Sequence, residues 1–270
     1  VCAGQERPAE QECTPPGQPG DAQTGTDRDH KSAPCVGLQQ GLCLALPHRH
    51  ELQDECHRRD QSGDEATTRQ VVAAHENVDG EHRLLDAGAG VGSLTAAFVE
   101  RVKNDATSID STCFELSSVM NHYLSDTLKH CSNTCESYGV QWDQTVVEDD
   151  FIQHSVEQLL NDNFKPKYNK VILNPPYLKI SSKGTERAAL RKVSFETGNL
   201  YSAFVGLAIK LLEEGGELVA ITPRSFCNGP YFNDFRRLLL DSCSINKIHV
   251  FNSRKSAFKA DKVLQENVIY

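Results

Sequence analysis

From residue 81 onward, short apolar runs alternate with longer stretches in which apolar residues recur every three or four positions. Buried strands crossing to amphipathic helices leave that pattern, so it predicts a doubly wound α/β sheet. Strands are expected at 83–87, 112–115, 145–148, 170–174, 217–222, 245–251 and 267–270, with helices between them. The clearest helix spans 199–213, where Leu200, Ala203, Phe204, Leu207 and Leu211 fall at helical spacing and Gly215 and Gly216 are expected to stop it.

Residues 1–80 break the pattern. Positions 1–30 are rich in Gln, Glu, Pro, Gly, Asp and Thr with almost no large apolar side chain, too little to offset the entropy of ordering. Positions 31–79 hold short apolar pieces at 36–46 and 71–74 without a sustained period of 2 or 3.6. The expected division is an irregular or disordered segment at 1–80 and a folded core at 81–270. The chain opens on Val rather than Met, which reads as a fragment whose front is translated in the wrong frame.

Composition adds exclusions. At 39% hydrophobic and 24% charged the chain is of globular type, and no apolar run approaches the ~18 residues of a membrane span. The net charge of −9 argues against a nucleic-acid partner until it is divided along the chain. Residues 1–80 carry 7 Lys and Arg against 14 Asp and Glu, residues 81–150 carry 4 against 12, and residues 151–270 carry 17 against 11. The last segment is therefore net basic, as contact with phosphates would favour. Ten cysteines without framework spacing, and no signal peptide, suit a reducing cytoplasm. Cys35, Cys43, His48, His50, Cys56 and His57 lie close together, but no CxxC pair anchors them and no metal is expected.

Three motifs carry chemistry. In LLDAGAGVGSLTAAF a strand ends at Asp86, Gly88, Gly90 and Gly92 follow at alternate positions, and a helix begins near Ser93. Such a turn lets a ligand approach the backbone at a helix N-terminus, although G-x-G-x-G departs from the dinucleotide fingerprint. Glu115, 27 residues after Gly88, would close the second strand, where a carboxylate can bind ribose hydroxyls. Asp150 would close the third, accepting from an adenine amino group while Phe151 packs on the ring, with Asp149 as the competing choice. In VILNPPYLKI a buried-type strand runs into Asn174, Pro175, Pro176 and Tyr177. The prolines stiffen the turn and leave the Asn174 amide oxygen and the Pro175 carbonyl as preset acceptors, with Tyr177 as a stacking plate. That set suits a planar ring bearing an exocyclic amine.

With FE at 114–115, DDF at 149–151, PRSFCNGPYFNDFRRLLL from Pro223 and VLQENVIY at the end, residues 81–270 resemble the N6-adenine DNA methyltransferases of bacterial restriction-modification systems. The motif order is that of the gamma group, close to the type IIG branch. The resemblance implies a class I S-adenosylmethionine-dependent methyltransferase, Rossmann-like, with a seven-stranded mixed sheet whose last strand is antiparallel. It implies S-adenosylmethionine on Asp86, Gly88, Gly90, Gly92, Glu115, Asp150 and Phe151, and double-stranded DNA as partner. Adenine would be flipped into a pocket at Asn174 and Tyr177, since its amino group cannot be reached inside the stack. Phe226 would pack on the base from the other side, and Lys179, Lys183 and Arg224 would meet DNA, with Arg187, Arg191, Lys192, Arg236 and Arg237 as further phosphate contacts. The family's Phe-Thr-Pro motif ahead of the glycine loop is not found, and a C-terminal target-recognition domain is not expected within the chain. Competing readings are an NPPY-type methyltransferase of a release-factor glutamine or a ribosomal RNA base, and an inactive remnant that retains cofactor binding.

Overall fold

The computed structural model describes residues 65–251 and 266–270. Their elements run α1 (Glu65–Ala73), β1 (Gly80–Ala87), α2 (Ser93–Val102), β2 (Ala106–Phe114), α3 (Ser118–Tyr138), β3 (Gln141–Val147), α4 (Phe151–Leu159) and β4 (Tyr168–Leu173). Next come α5 (Thr185–Lys192), α6 (Leu200–Leu211), β5 (Leu212–Pro223), two short 3₁₀ turns, α7 (Asn233–Ser242), β6 (His249–Val250) and β7 (Asn267–Ile269). The strands form one seven-stranded sheet in the order β3-β2-β1-β4-β5-β7-β6. β1 to β5 are mutually parallel, and β7 runs antiparallel between β5 and β6. All seven expected strand positions are occupied, and the mixed sheet is as expected.

Alternation along the central strands splits the core between the two faces of the sheet, because successive side chains point to opposite sides. Leu84, Ile172, Val219 and Ile221 join Val71, Val72, Phe98, Val99 and Val102 on one side. Leu85, Val171, Leu173 and Ala220 join Phe151, Ile152, Val205, Leu207 and Ala208 on the other. Strands buried on both faces need apolar residues at every position, which is why 84–85, 171–173 and 218–221 are legible as unbroken runs. The chain leaves β1 outward to β2 and β3, then returns to β4 on the other side of β1, so a switch point opens between the carboxyl ends of β1 and β4.

The structure moves three boundaries. The helix expected at 199–213 ends at Leu211, ahead of the glycines, because Leu212 already pairs with Tyr168 of β4 and residues 213–216 are looped out before Glu217 pairs with Lys170. β6 keeps only His249–Val250 of the expected 245–251. The division at residue 80 also shifts. Helix α1 and the turn after it belong to the core, with Val71 and Val72 buried against α2 and the His75 side chain fully buried. Glu217 of β5 ties this segment down: it accepts from the Glu76 and Asn77 amides, pairs with Lys170 at 2.6 Å, and meets His75 Nδ1 at 3.4 Å. Burial pushes the Glu217 carboxyl up, but these hydrogen bonds outweigh it and hold the group near a pKa of about 2. Residues 1–64, and with them the Cys/His cluster at 35–57, lie outside the described residues.

Candidate functional site

The glycine loop sits at the carboxyl end of β1. Gly88, Gly90 and Gly92 have φ of +80°, +58° and +83°, left-handed values that side chains bearing a Cβ rarely adopt, and this accounts for glycine at alternate positions. The Gly88 and Ala89 amides donate to the Phe114 carbonyl at 3.0 and 2.8 Å, which draws the loop against the end of β2. A Cβ on Gly90 would meet nothing within 4 Å, so that side of the loop is open; one on Gly92 would stand 2.8 Å from Leu124.

Glu115 lies beside this opening. Its carboxylate accepts from the Gly90 amide at 3.0 Å and the Ser117 amide at 2.7 Å, and each oxygen keeps a lone pair for a ligand hydroxyl. Asp86 is placed differently from the expectation. It is 1% exposed, one oxygen accepts from Thr95 Oγ1 at 2.7 Å, and the other is buried without a partner. Burial raises its pKa to about 7 despite the Thr95 hydrogen bond, and the charge of Glu115 adds to the rise. Asp86 thus lies beneath the loop, with Glu115 at its edge.

Asp150 does not close β3, which ends at Val147; it caps α4, accepting from the Gln153 amide at 2.9 Å. Phe151 is 3% exposed, its ring edge-on to Phe114 at 5.0 Å and tilted on Phe204 at 4.9 Å, so it offers no free face. Asp149 is turned to His154 at 3.2 Å. The half-buried ring of Phe204 of α6 stands beside Gly88: a Cβ there would lie 3.5 Å from it. Nothing in the spacing of α6 marked Phe204 apart from its core neighbours, because only the loop's approach distinguishes it.

The second half of the site leaves β4. The β1–β4 register pairs Asp86 with Ile172, so Gly88 and Asn174 leave the sheet abreast. Asn174 is buried; its Oδ1 accepts from the Tyr177 hydroxyl at 2.8 Å, and its Nδ2 has no partner. The same hydroxyl is 3.2 Å from the Ile221 carbonyl of β5. Pro175 is buried and Pro176 half-buried, forming the stiff exit turn. The Tyr177 ring is half-buried and edge-on to Tyr201 at 6.4 Å, so its hydroxyl is turned inward on Asn174, a contact that no sequence spacing could reveal.

The other aromatic and basic candidates separate on burial and pairing. Phe226 is 7% exposed and packed between Phe235 at 5.4 Å and Tyr270 at 5.1 Å, among the core residues. Arg187 and Arg191 both clamp Glu196, which their hydrogen bonds hold near a pKa of about 2. Arg224 pairs with Glu266. Arg236 donates to the carbonyls of Phe226 and Gly229 and thereby shapes the segment between β5 and α7. Lys179, Lys183 and Lys192 are exposed and, among the described residues, form no ion pair. Arg237 stands in a groove with Arg191, Glu196, Lys210, Asp234 and Asp241, where acids balance the bases.

A glycine cradle and an Asn-Pro-Pro-Tyr turn abreast at one switch point can be compared with known proteins. Type II methyltransferase M.PstI of Providencia stuartii is 67% identical over 196 residues, which is 72% of this chain and 39% of that protein. M.BsuBI of Bacillus subtilis is 46% identical over 193 residues, 69% of this chain and 38% of that protein. The chain thus spans under two fifths of the length of these relatives. A solved structure from Listeria monocytogenes, described as a class I S-adenosylmethionine-dependent methyltransferase, superposes with a TM-score of 0.50 at 12% identity over 86% of this chain and 63% of its own, which establishes the fold. The sequence profile of the Eco57I restriction-modification methylases matches residues 95–258, from the first turn of α2 past β6, and this chain belongs to that family.

Proposed function

We propose that this chain is the catalytic part of an enzyme that methylates N6 of an adenine flipped out of double-stranded DNA, as the modification activity of a restriction-modification system. The observation that carries the reading is the side-by-side exit of Gly88 and Asn174 from β1 and β4, which puts a cofactor cradle next to a pair of fixed acceptors. The cradle suits S-adenosylmethionine, the cofactor of the fold: its Gly90 side is open, and Glu115 presents carboxylate oxygens toward the loop for ribose hydroxyls. When bound, that cofactor supplies an electrophilic methyl group on a sulfonium. Phe204 is the aromatic available beside the loop, in the part expected of Phe151.

Asn174 Oδ1 and the Pro175 carbonyl each accept one hydrogen of the substrate amine. Two acceptors in the turn would draw the nitrogen lone pair out of ring conjugation and orient it in line with a bound cofactor's methyl group, so no covalent nucleophile is required. The N–C bond would form as the methyl–sulfur bond breaks, the sulfur would leave as a neutral thioether and the extra N6 proton would pass to solvent. The chemistry is positioning together with acceptors aimed at the positive charge that develops on N6. The family assignment and the likeness to M.PstI support modification of DNA over a release-factor or ribosomal RNA substrate. Nucleoside mass spectrometry after incubation with duplex DNA, transfer RNA or a Gly-Gly-Gln-containing release factor tests the reading. N6-methyladenine in DNA is expected; N4-methylcytosine, or methylation confined to RNA or protein, overturns it.

A further inference from the structure

We propose that the Tyr177 hydroxyl is a positioning group that fixes which way the Asn174 amide faces, and so aims the acceptor used on the substrate amine. The catalytic use of this contact rests on the methyl-transfer reading above; the orientation does not. The hydroxyl stands 2.8 Å from Asn174 Oδ1 and 3.2 Å from the Ile221 carbonyl. It carries one hydrogen, so it donates fully to only one of them at a time. Asn174 Nδ2 is buried with no partner, and Tyr177 is the one side chain among the described residues that bonds the amide.

An amide whose two ends are nearly equal in shape is oriented only by its hydrogen bonds. With the hydroxyl donating to Oδ1, that oxygen is held in place and keeps its second lone pair for a substrate N–H. With the hydroxyl turned to Ile221, its oxygen could instead accept from Nδ2, and the amide would face the other way with a donor where the acceptor belongs. The nearer contact to Asn174 favours the first arrangement. The ring is kept from swinging by its edge-on contact with Tyr201 and by core residues on both sides of the sheet. Burial raises the phenol pKa well above its usual value, so the hydrogen is retained across the working pH range. Tyr177 therefore combines a ring at the mouth of the site with a hydroxyl that sets the polarity of the group beneath it.

Two measurements on the 270-residue chain test this. In the first, the side-chain NH₂ resonances of Asn174, assigned by their loss in Asn174→Ala, are followed by ¹⁵N NMR in Tyr177→Phe, which keeps the ring. They are expected to shift and broaden while the backbone amides of β2 and α3 stay in place; an unmoved pair overturns the proposal whether or not the chain is active. In the second, methyl transfer to an adenine-containing duplex is measured through a double-mutant cycle. Tyr177→Phe is expected to lower kcat about tenfold with KM changed less than about twofold, and to change nothing further once Asn174 is Ala. The same fractional loss in both backgrounds would mean that the hydroxyl does not act through Asn174, and overturns the proposal. Shifted resonances together with full transfer by Asn174→Ala would support the orientation and overturn the catalytic reading on which its use rests.

Discussion

At the residue scale, burial separates groups that look alike in sequence. Asp86 and Glu115 both follow apolar runs that end strands, yet Asp86 is sealed beneath the loop with one oxygen unpartnered while Glu115 reaches its rim. A carboxyl raised from 3.8 to about 7 binds its proton more tightly folded than unfolded. Its cost to stability is absent below about pH 4, grows between pH 4 and 7, and is complete above 7. Asp86→Asn, which keeps the shape and the Thr95 contact, is expected to gain in Tm over wild type as pH rises through that window; a difference constant with pH would refute the assignment. Glu115→Ala is expected to weaken S-adenosylmethionine binding by about 1–3 kcal/mol by calorimetry, through loss of charge-assisted hydrogen bonds. Asn174→Ala is expected to cut turnover at least about a hundredfold with cofactor affinity little changed, as for a group that acts on the transition state. The motif residues were legible because glycine, proline and a strand-ending Asn are tied to backbone requirements. The burial of Phe226 and Phe151 was not, since an aromatic side chain reads the same in sequence whether its ring is packed or open, and Phe235, Tyr270, Phe114 and Phe204 are brought around them only by the fold.

At the scale of elements, the central strands could be located because residues buried on both faces leave unbroken apolar runs. Helix α1 could not, since nine residues with two valines make too short a stripe, and its anchor lies more than 140 positions away on β5. Glu217 is one link between that turn and the sheet, another being His82 of β1, whose Nε2 lies 2.9 Å from the Val78 carbonyl. Lys170 Nζ sits 2.6 Å from it with a side chain only 4% exposed, so Glu217→Ala would strand a buried ammonium as well as free the Asn77 amide. The expected loss is about 2–4 kcal/mol in denaturant unfolding, toward the lower end of buried-pair values because Glu217 itself is 26% exposed. The pH dependence runs opposite to that of Asp86. A carboxyl depressed from 4.5 to about 2 contributes stability that is fully present above 4.5 and is lost as pH falls toward 2. The acid limb of the wild-type stability curve should therefore flatten in Glu217→Ala, and a limb of unchanged steepness would place the acid sensitivity elsewhere.

Across the whole chain, charge is divided unevenly between the two halves of the sheet. Residues 81–150, which supply β1 to β3 and the glycine loop, hold 4 basic against 12 acidic side chains, whereas residues 151–270, which supply the Asn174 turn and the elements beyond it, hold 17 against 11. Counting charges in sequence overstated the surface available to a phosphate backbone, because Arg187, Arg191 and Arg224 are committed to carboxylates and Arg236 to carbonyls. The groups still available after Tyr177 include Lys179, two residues beyond the turn, and Lys183, in the loop before α5. A phosphate contact releases condensed counterions, so each one adds about 0.9 to the slope of log K against log salt. Lys179→Ala and Lys183→Ala are each expected to weaken duplex binding equally for all sequences and to lower that slope by about 1. Arg187→Ala, whose guanidinium is held on the Glu196 carboxylate that it shares with Arg191, is expected to leave the slope where it was. Salt titrations of the three variants by fluorescence anisotropy separate the cases: an unchanged slope for both lysine variants would move the DNA-facing surface away from the Asn174 turn, and a loss for Arg187→Ala would mean that its pair with Glu196 opens when DNA binds.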